Sequence, residues 1–352
     1  MMLRPTQPDD LPELAAFLQA NGVACTISTL GWKYPGLTGG SGSPVRSWIA
    51  QVEGRIVGHI GVVPAVIRDG RRSASPAPAG WFMDWMVRDD LRARGIGVFL
   101  LREAAKHHPV LMTIQGSADT QRVLPQLGWF ACDDLSLYKL NLAAGAISVN
   151  ASLPQRTAAY LAGVLWLHPV THRPPHGWHL LGSGPSTEAP SWNLLSDAIR
   201  RLEATVPDVT ARCPHTAEFL TWWLGSHPTR AYRLILATDA TGPSGYVIWR
   251  WSSRADGRKD ARIVDAGAPW DRPDVWRWLL GAVTAECQAG GGLQVGCLAG
   301  RRSPLALALR ANRYLPRQTL PLWLSPGFGP ADAGTHWHAT LADSDIDTAA
   351  AV

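Results

Sequence analysis

The chain has 352 residues, 46% of them apolar and 17% charged, with a formal net charge of +5. That length allows two domains, and that apolar fraction excludes a globally disordered polypeptide. The cysteines at 25, 132, 213, 287 and 297 never form a Cys-x-x-Cys pair, which argues against a disulfide framework or a cysteine zinc site. The sequence contains neither an apolar run of about 18 residues nor a signal-type N-terminus, so the expectation is a cytoplasmic protein without a transmembrane segment. Nearly all the positive charge is arginine, with lysine only at 33, 106, 139 and 259. Such a mildly basic surface suits an anionic cofactor and, lacking long Lys/Arg runs, gives no strong nucleic-acid signal.

In chain order, Leu3-Arg4-Pro5 predicts a short strand. Asp9 or Asp10 is placed to cap a helix with Leu11, Leu14, Ala15 and Leu18 on one face. Trp32-Lys33-Tyr34 reads as loop, closed by a Gly/Ser run. Alternating apolar residues predict strands over 47–51 and 56–65 around the Glu53-Gly54 turn. A second turn at Gly70-Arg71-Arg72 and a surface loop over 73–79 follow. A strand over 80–87 then enters the turn that carries the most chemistry, Arg88 to Val98, and a helix over 97–107 leaves it. Gly95 and Gly97 allow the backbone to turn sharply and its N–H groups to converge. The helix dipole points the same way, and Arg92 and Arg94 add full charges. Such a cradle suits a pyrophosphate. Beyond it come a strand over 110–115, a helix over 117–127 and a strand over 135–140.

Residues 143–195 break this rhythm and read as a linker with a short apolar helix over 158–167. Histidines at 168, 172, 176 and 179 follow, but the intervening prolines prevent the helical spacing that would converge them, and no metal site is expected. Order resumes with helices over 199–204 and 215–225, and strands over 232–237, 245–251 and 262–266. A helix over 276–287, a strand over 293–298, a helix over 304–311 and a strand over 319–324 complete it. This succession repeats the first half without its basic turn: Asp265-Ala266-Gly267-Ala268-Pro269 stands in that place. Asn312-Arg313-Tyr314 echoes Leu127-Gly128-Trp129. Near the C-terminus, Asp343, Asp345 and Asp347 alternate.

The string Arg92-x-x-Gly95-x-Gly97, between Val87 and Leu100-Leu101, resembles the acetyl-CoA pyrophosphate loop of the GNAT superfamily of N-acyltransferases. Ile56-Val57-Gly58-His59-Ile60-Gly61 is similar to that family's third strand, and Gly128-Trp129 holds the position of its Leu-Gly-Phe. Three departures stand out: Asp89 for a usual Pro, Ser117 for a cofactor-contacting Asn, and Leu124 for the Tyr that protonates the leaving thiolate. The resemblance implies an α/β fold with an α+β mixed sheet, made of two tandem GNAT-like domains of which the second lacks the pyrophosphate loop. The expected division is a GNAT domain over 1–142, a linker over 143–195 and a degenerate GNAT-like domain over 196–352.

The implied activity is transfer from acetyl-CoA or another acyl-CoA, without a metal, to a small amine. The phrase around His336 to Asp347 is similar to a tail of tandem GNAT-like proteins from bacterial polysaccharide clusters, which points to an amino sugar as acceptor. Cofactor contacts fall on Met86, Val87, Arg92, Arg94, Gly95, Ile96, Gly97, Val98 and Ser117. Asp84 and His59 are the catalytic candidates, and Tyr34, Asp343 and Asp345 lie on the expected acceptor side. Two other readings stay open: aminoacyl transfer from a charged tRNA, which tandem GNAT folds also perform, and a non-catalytic CoA-binding scaffold, which Leu124 in place of Tyr would fit.

Overall fold

The computed structural model describes residues 1–35, 46–69, 75–143, 170, 172–185, 189–208, 210–254, 256–329 and 336–343. The first half runs β1 (Met2–Pro5), α1 (Leu11–Ala20), α2 (Ile27–Lys33), β2 (Ser47–Val52), β3 (Arg55–Asp69), β4 (Ala77–Val87), α3 (Ile96–His107), β5 (Leu111–Ile114), α4 (Ala118–Gln126) and β6 (Phe130–Asn141). The second runs β7 (His179–Pro185), α5 (Ala189–Glu203), β8 (Thr210–Arg212), α6 (Ala217–Leu220, continued by a wide turn to Gly225), β9 (Arg233–Asp239), β10 (Gly242–Ser253), β11 (Lys259–Gly267), α7 (Pro273–Ala289), β12 (Gln294–Gly300), α8 (Pro304–Ala311), β13 (Leu315–Leu324) and β14 (His336–His338).

The strands join in one mixed sheet in the order β1-β2-β3-β4-β5-β13-β6-β12-β11-β10-β9-β7. Read from either end, the order is the same succession of equivalent elements, so the halves are related by an approximate two-fold axis between β13 and β6. Each half covers its fifth strand with the last strand of the other: β13 pairs with β5, and β6 pairs with β12. The exchange buries two edges that would otherwise be open to pairing. Helices α3 and α4 cover one face of the first half, with Phe82, Leu100, Leu101 and Leu124 at its core. Helices α7 and α8 do the same for the second, around Trp249, Trp276, Leu280 and Leu309. On the opposite face a shared core joins α1 and α5 with side chains of both halves.

A contact across the two-fold axis records the repeat. The Trp32 indole donates to the Trp222 carbonyl at 2.9 Å, and the Trp222 indole donates to the Trp32 carbonyl at 3.1 Å. The surrounding residues align without gaps: Thr26 caps α2 through the Thr29 amide, and Thr216 caps α6 through the Phe219 amide.

Four local expectations change. Trp32 and Lys33 lie in α2, with Tyr34 at its C-cap, because the Thr26–Thr29 capping box starts a helix too short to show periodicity. The loop expected over 73–79 gives way to β4 from Ala77, and β6 starts at Phe130. Residues 179–185 and 189–195, read as linker, belong to β7 and α5. With glycines at 182 and 184, β7 has little strand propensity of its own, and pairing with β9 makes it a strand. The helix expected over 158–167 lies outside the described residues, as do the Gly70-Arg71-Arg72 turn and His168.

Candidate functional site

Strands β4 and β5 run parallel and pair only at Gly80 with Leu111 and Trp81 with Met112. Beyond that point β4 continues to Val87 while β5 ends at Ile114 and turns through Gln115 and Gly116, both at positive φ. A V-shaped cleft opens between them. At its mouth Asp89–Leu91 forms a short turn, Ala93 and Gly95 adopt left-handed φ of 64° and 79°, and α3 begins at Ile96. No side chain caps α3, so its first N–H groups have no intrahelical acceptor and face the mouth. Arg92 and Arg94 are exposed beside them, Arg92 pairing with Asp89 at 2.6 Å. Met86 and Val87 form the β4 wall. Ser117 stands across the cleft, where its Oγ caps α4 by accepting from the Thr120 amide at 3.2 Å.

Gly97 has a further role. Its carbonyl accepts from the Trp85 indole at 2.9 Å, and a Cβ there would stand 3.2–3.4 Å from the indole ring. The absence of a side chain lets the ring close on the first turn of α3.

The catalytic candidates meet, but in a buried cluster. The Asp84 carboxylate, 5% exposed, accepts from Lys33 Nζ at 2.9 Å and from the Tyr34 hydroxyl at 2.6 Å. Burial alone would raise this carboxyl, but the Lys33 charge and the two donated bonds hold it below the usual carboxylate range. His59 lies on β3 with Nδ1 3.0 Å from the Asp84 carbonyl and Nε2 2.9 Å from Ser47 Oγ. A carbonyl only accepts, so Nδ1 carries the proton and Nε2 accepts from Ser47, whose oxygen is in turn 2.7 Å from Thr6 Oγ1. Burial pushes the imidazole down to about 4. Neither group is arranged as a general base: the carboxylate is already doubly bonded and weakly basic, and the imidazole has both nitrogens engaged. Tyr34, expected toward an acceptor, is fully buried with its ring against Gly61. A group so enclosed does not reach an incoming amine.

The second half carries the counterpart of this arrangement. Asp265 on β11, like Asp84 on β4, sits where its strand slips register against its neighbour. Its Oδ2 accepts from His215 Nδ1 at 3.0 Å and from the Tyr246 hydroxyl at 3.0 Å. His215 precedes the N-cap of α6 and also donates through Nε2 to Asp343 at 2.9 Å. Burial would lower this imidazole, but Asp343 and Asp265 outweigh it and raise it well above its ordinary value.

Here the chain itself crosses the gap. Strands β11 and β12 pair only over Ala261–Ile263 and Val295–Cys297 before parting. The C-terminal segment lies against both: the Thr340 hydroxyl donates to Asp265 at 3.0 Å, and the Trp337 carbonyl is packed on Gly300. Asp343, expected to hold an acceptor, is 2% exposed and bonded to His215 and the Thr340 amide. Asp345 lies outside the described residues. Helix α7 begins with Pro273, which has no N–H, and Arg272 before it is paired with Asp274 at 2.8 Å. One donor of the first turn is thereby removed and the adjacent cation neutralised. A pocket remains beside the cluster, lined by Arg212, Tyr246, Trp270, Trp276 and His338 among others. His172 and His179 have separate partners, Asn312 and Thr238.

No family model matches the chain, and no curated protein matches its sequence. Solved structures do match. A GCN5-related N-acetyltransferase from Anabaena variabilis superposes with a TM-score of 0.60 at 13% identity, covering 92% of this chain and 72% of that one. The N-myristoyltransferase of Saccharomyces cerevisiae with bound myristoyl-CoA also gives 0.60, at 10% identity, over 92% of this chain and 82% of that one. A GCN5-related N-acetyltransferase from Kribbella flavida gives 0.55 at 15% identity, over 92% and 70%. The fold is that of two tandem GNAT-like domains. Within that GNAT-like fold, sequence reasoning located the turn at 88–98 but missed Trp85 and the His215–Asp265–Asp343 cluster. The signal for the cluster was the matched spacing of Thr26 and Trp32 with Thr216 and Trp222.

No described helix is long and apolar enough to cross a membrane.

Proposed function

We propose that the chain is an acyl-CoA-dependent N-acyltransferase with its cofactor cleft in the first half. The observation that carries this reading is the contrast between the two clefts of one sheet. One has exposed Arg92 and Arg94 beside the first turn of its helix; the other is crossed by the C-terminal segment, and its helix starts with Pro273, where Arg272 is paired with Asp274. In the open cleft the pantetheine arm would lie along β4 and the diphosphate would meet the N–H groups of Ile96, Gly97 and Val98. At the register slip of β4 the Asp84 side chain is buried while the residue as a whole is only half-buried, so main chain faces the cleft. A main-chain N–H in that setting can stabilise the oxyanion formed when an amine attacks the thioester carbonyl. The carbon–sulfur bond then breaks, CoA leaves as thiolate, and the ammonium proton passes to water. Water is the natural proton acceptor because Asp84 and His59 are both committed.

The acceptor would be a small amine, with amino sugars of polysaccharide biosynthesis included, acylated in the cytoplasm. Acetyl-CoA is the first cosubstrate to test and longer acyl-CoAs the second. That commitment of Asp84 and His59 also favours one alternative, a protein that binds CoA without turnover. Titration with acetyl-CoA and longer acyl-CoAs, followed by mass-spectrometric product detection over a panel of amines, separates the two. Stabilisation by millimolar acyl-CoA with an acylated product supports the enzyme. Stabilisation without product over the whole panel supports the binding protein, and no stabilisation refutes both.

A further inference from the structure

Between the paired residues Met83–Gly61 and Met86–His59, β4 places two residues, Asp84 and Trp85, opposite Ile60 alone on β3. This is a β-bulge, and Asp84 takes up the extra length at φ 49°, a left-handed conformation that a strand residue adopts only when its surroundings enforce it. Lys33 and Tyr34 supply that enforcement by holding the Asp84 carboxylate on one face of the sheet. The bulge sends the next side chain, Trp85, to the other face.

There the indole is held edge-on by Phe82 at 5.7 Å and 90°, and Phe82 is itself backed by Trp129 at 5.3 Å. Its N–H reaches the Gly97 carbonyl, and its ring lies on the space where a Gly97 side chain would be. The intervening segment from Arg88 to Arg94 is largely exposed and contains no buried residue. The start of α3 is therefore located relative to β4 by what packs on its first turn: the buried Ile96 side chain and the Trp85 indole.

We propose that Trp85 is the positioning residue of the diphosphate-binding turn, fixing the N–H groups of α3 relative to the wall that holds the pantetheine, with the Lys33–Asp84–Tyr34 cluster fixing Trp85. The inference rests on the acyl-CoA reading above and deepens it. Its distinctive consequence is selectivity: disturbing Trp85 weakens recognition of the diphosphate end of the cofactor and spares the pantetheine end.

The test compares CoA with S-acetylpantetheine, which lacks the diphosphate, on wild type, Trp85→Phe and Gly97→Ala, by calorimetry and by NMR titration at millimolar ligand. Trp85→Phe keeps an aromatic ring and deletes the N–H donor; Gly97→Ala keeps the indole and pushes against it, with the added Cβ 3.2–3.4 Å from the ring. Expected is a loss of about three- to tenfold in CoA affinity for Trp85→Phe, the size of one hydrogen bond. S-acetylpantetheine affinity should stay within about twofold of wild type. Gly97→Ala should give the same pattern, and it serves as the readout if Trp85→Phe does not fold. Equal losses for both ligands, or unchanged CoA affinity in both variants, would overturn the positioning role alone. Wild-type protein that binds neither ligand would overturn the acyl-CoA reading and the positioning role with it.

Discussion

The Lys33–Asp84 pair gives the sharpest energetic test. Both side chains are nearly inaccessible, 9% and 5% exposed, so water cannot replace the ammonium if it is removed. Replacing Lys33 with methionine keeps the bulk and strands a buried carboxylate, a change that costs about 3–5 kcal/mol in buried pairs. The loss has a ceiling, because the chain can protonate Asp84 instead. From an unfolded-state value near 3.9, neutralising the group at pH 7 costs about 4 kcal/mol, and at pH 5 only about 1.5 kcal/mol. In the wild type the folded Asp84 value is depressed. Its stabilising contribution is present above pH ~3.9 and is lost as pH falls through the folded value. Lys33→Met should therefore lose about 3–4 kcal/mol at pH 7 and markedly less at pH 5. The double variant Lys33→Met/Asp84→Asn should recover most of the loss, since Tyr34 can still donate to the amide oxygen. Guanidinium unfolding followed by tryptophan fluorescence at the two pH values measures each quantity. A loss under about 1 kcal/mol at pH 7, or one independent of pH, would refute the account of a buried, ionised Asp84.

The other expectations concern the second half and the cofactor. His215 has a folded value raised well above 6.5, so its contribution is full below pH ~6.5 and is lost as pH rises through the raised value. His215→Gln should lower wild-type stability most at pH 6 and least in the alkaline range, and an effect that grows with pH would contradict the two-carboxylate clamp. Gly300→Val should destabilise by about 1–3 kcal/mol and expose the segment around Trp337 to proteolysis, because the clash is with main chain. Unchanged protease resistance would mean the segment is not seated there. Calorimetric titration should find one acyl-CoA per chain, and a second equivalent of similar affinity would contradict the closure of the second cleft.

Much of the architecture was legible in the sequence because it rests on local signals. The turn at 88–98 announces itself through Gly95, Gly97 and the arginines, and the repeated order of strands and helices through apolar alternation. The exchange of β6 and β13 was not legible, since either strand could pair with its own half by pattern alone and only the shared core decides. Asp84 and His59 were rightly placed close together, but their chemistry was not readable: a carboxylate three residues from Val87 looks poised for catalysis until Lys33 and Tyr34, about 50 residues upstream, are seen to bury it. Asp343 misled for the same reason, its partner His215 lying 128 residues away. Trp85 left no signal, because an indole beside a glycine turn has meaning only in three dimensions.

The two halves treat the same parting of strands differently. Both place an aspartate at a register slip on the strand before the helix, both hold it with a cation and a tyrosine, and both part the next two strands. In the first half the cation is Lys33 of the same half, so the cluster is complete without the chain's end. In the second half the cation is His215, whose second nitrogen donates to Asp343. A buried imidazolium with one bare N–H would be unstable, and Asp343 satisfies it by drawing the C-terminal segment across the parted strands. The start of α7 in the same half differs from that of α3, with Pro273 at its first position and Arg272 paired to Asp274. Lysine in one half and histidine in the other thus separate a cluster complete within residues 33–84 from one that draws in the C-terminal segment.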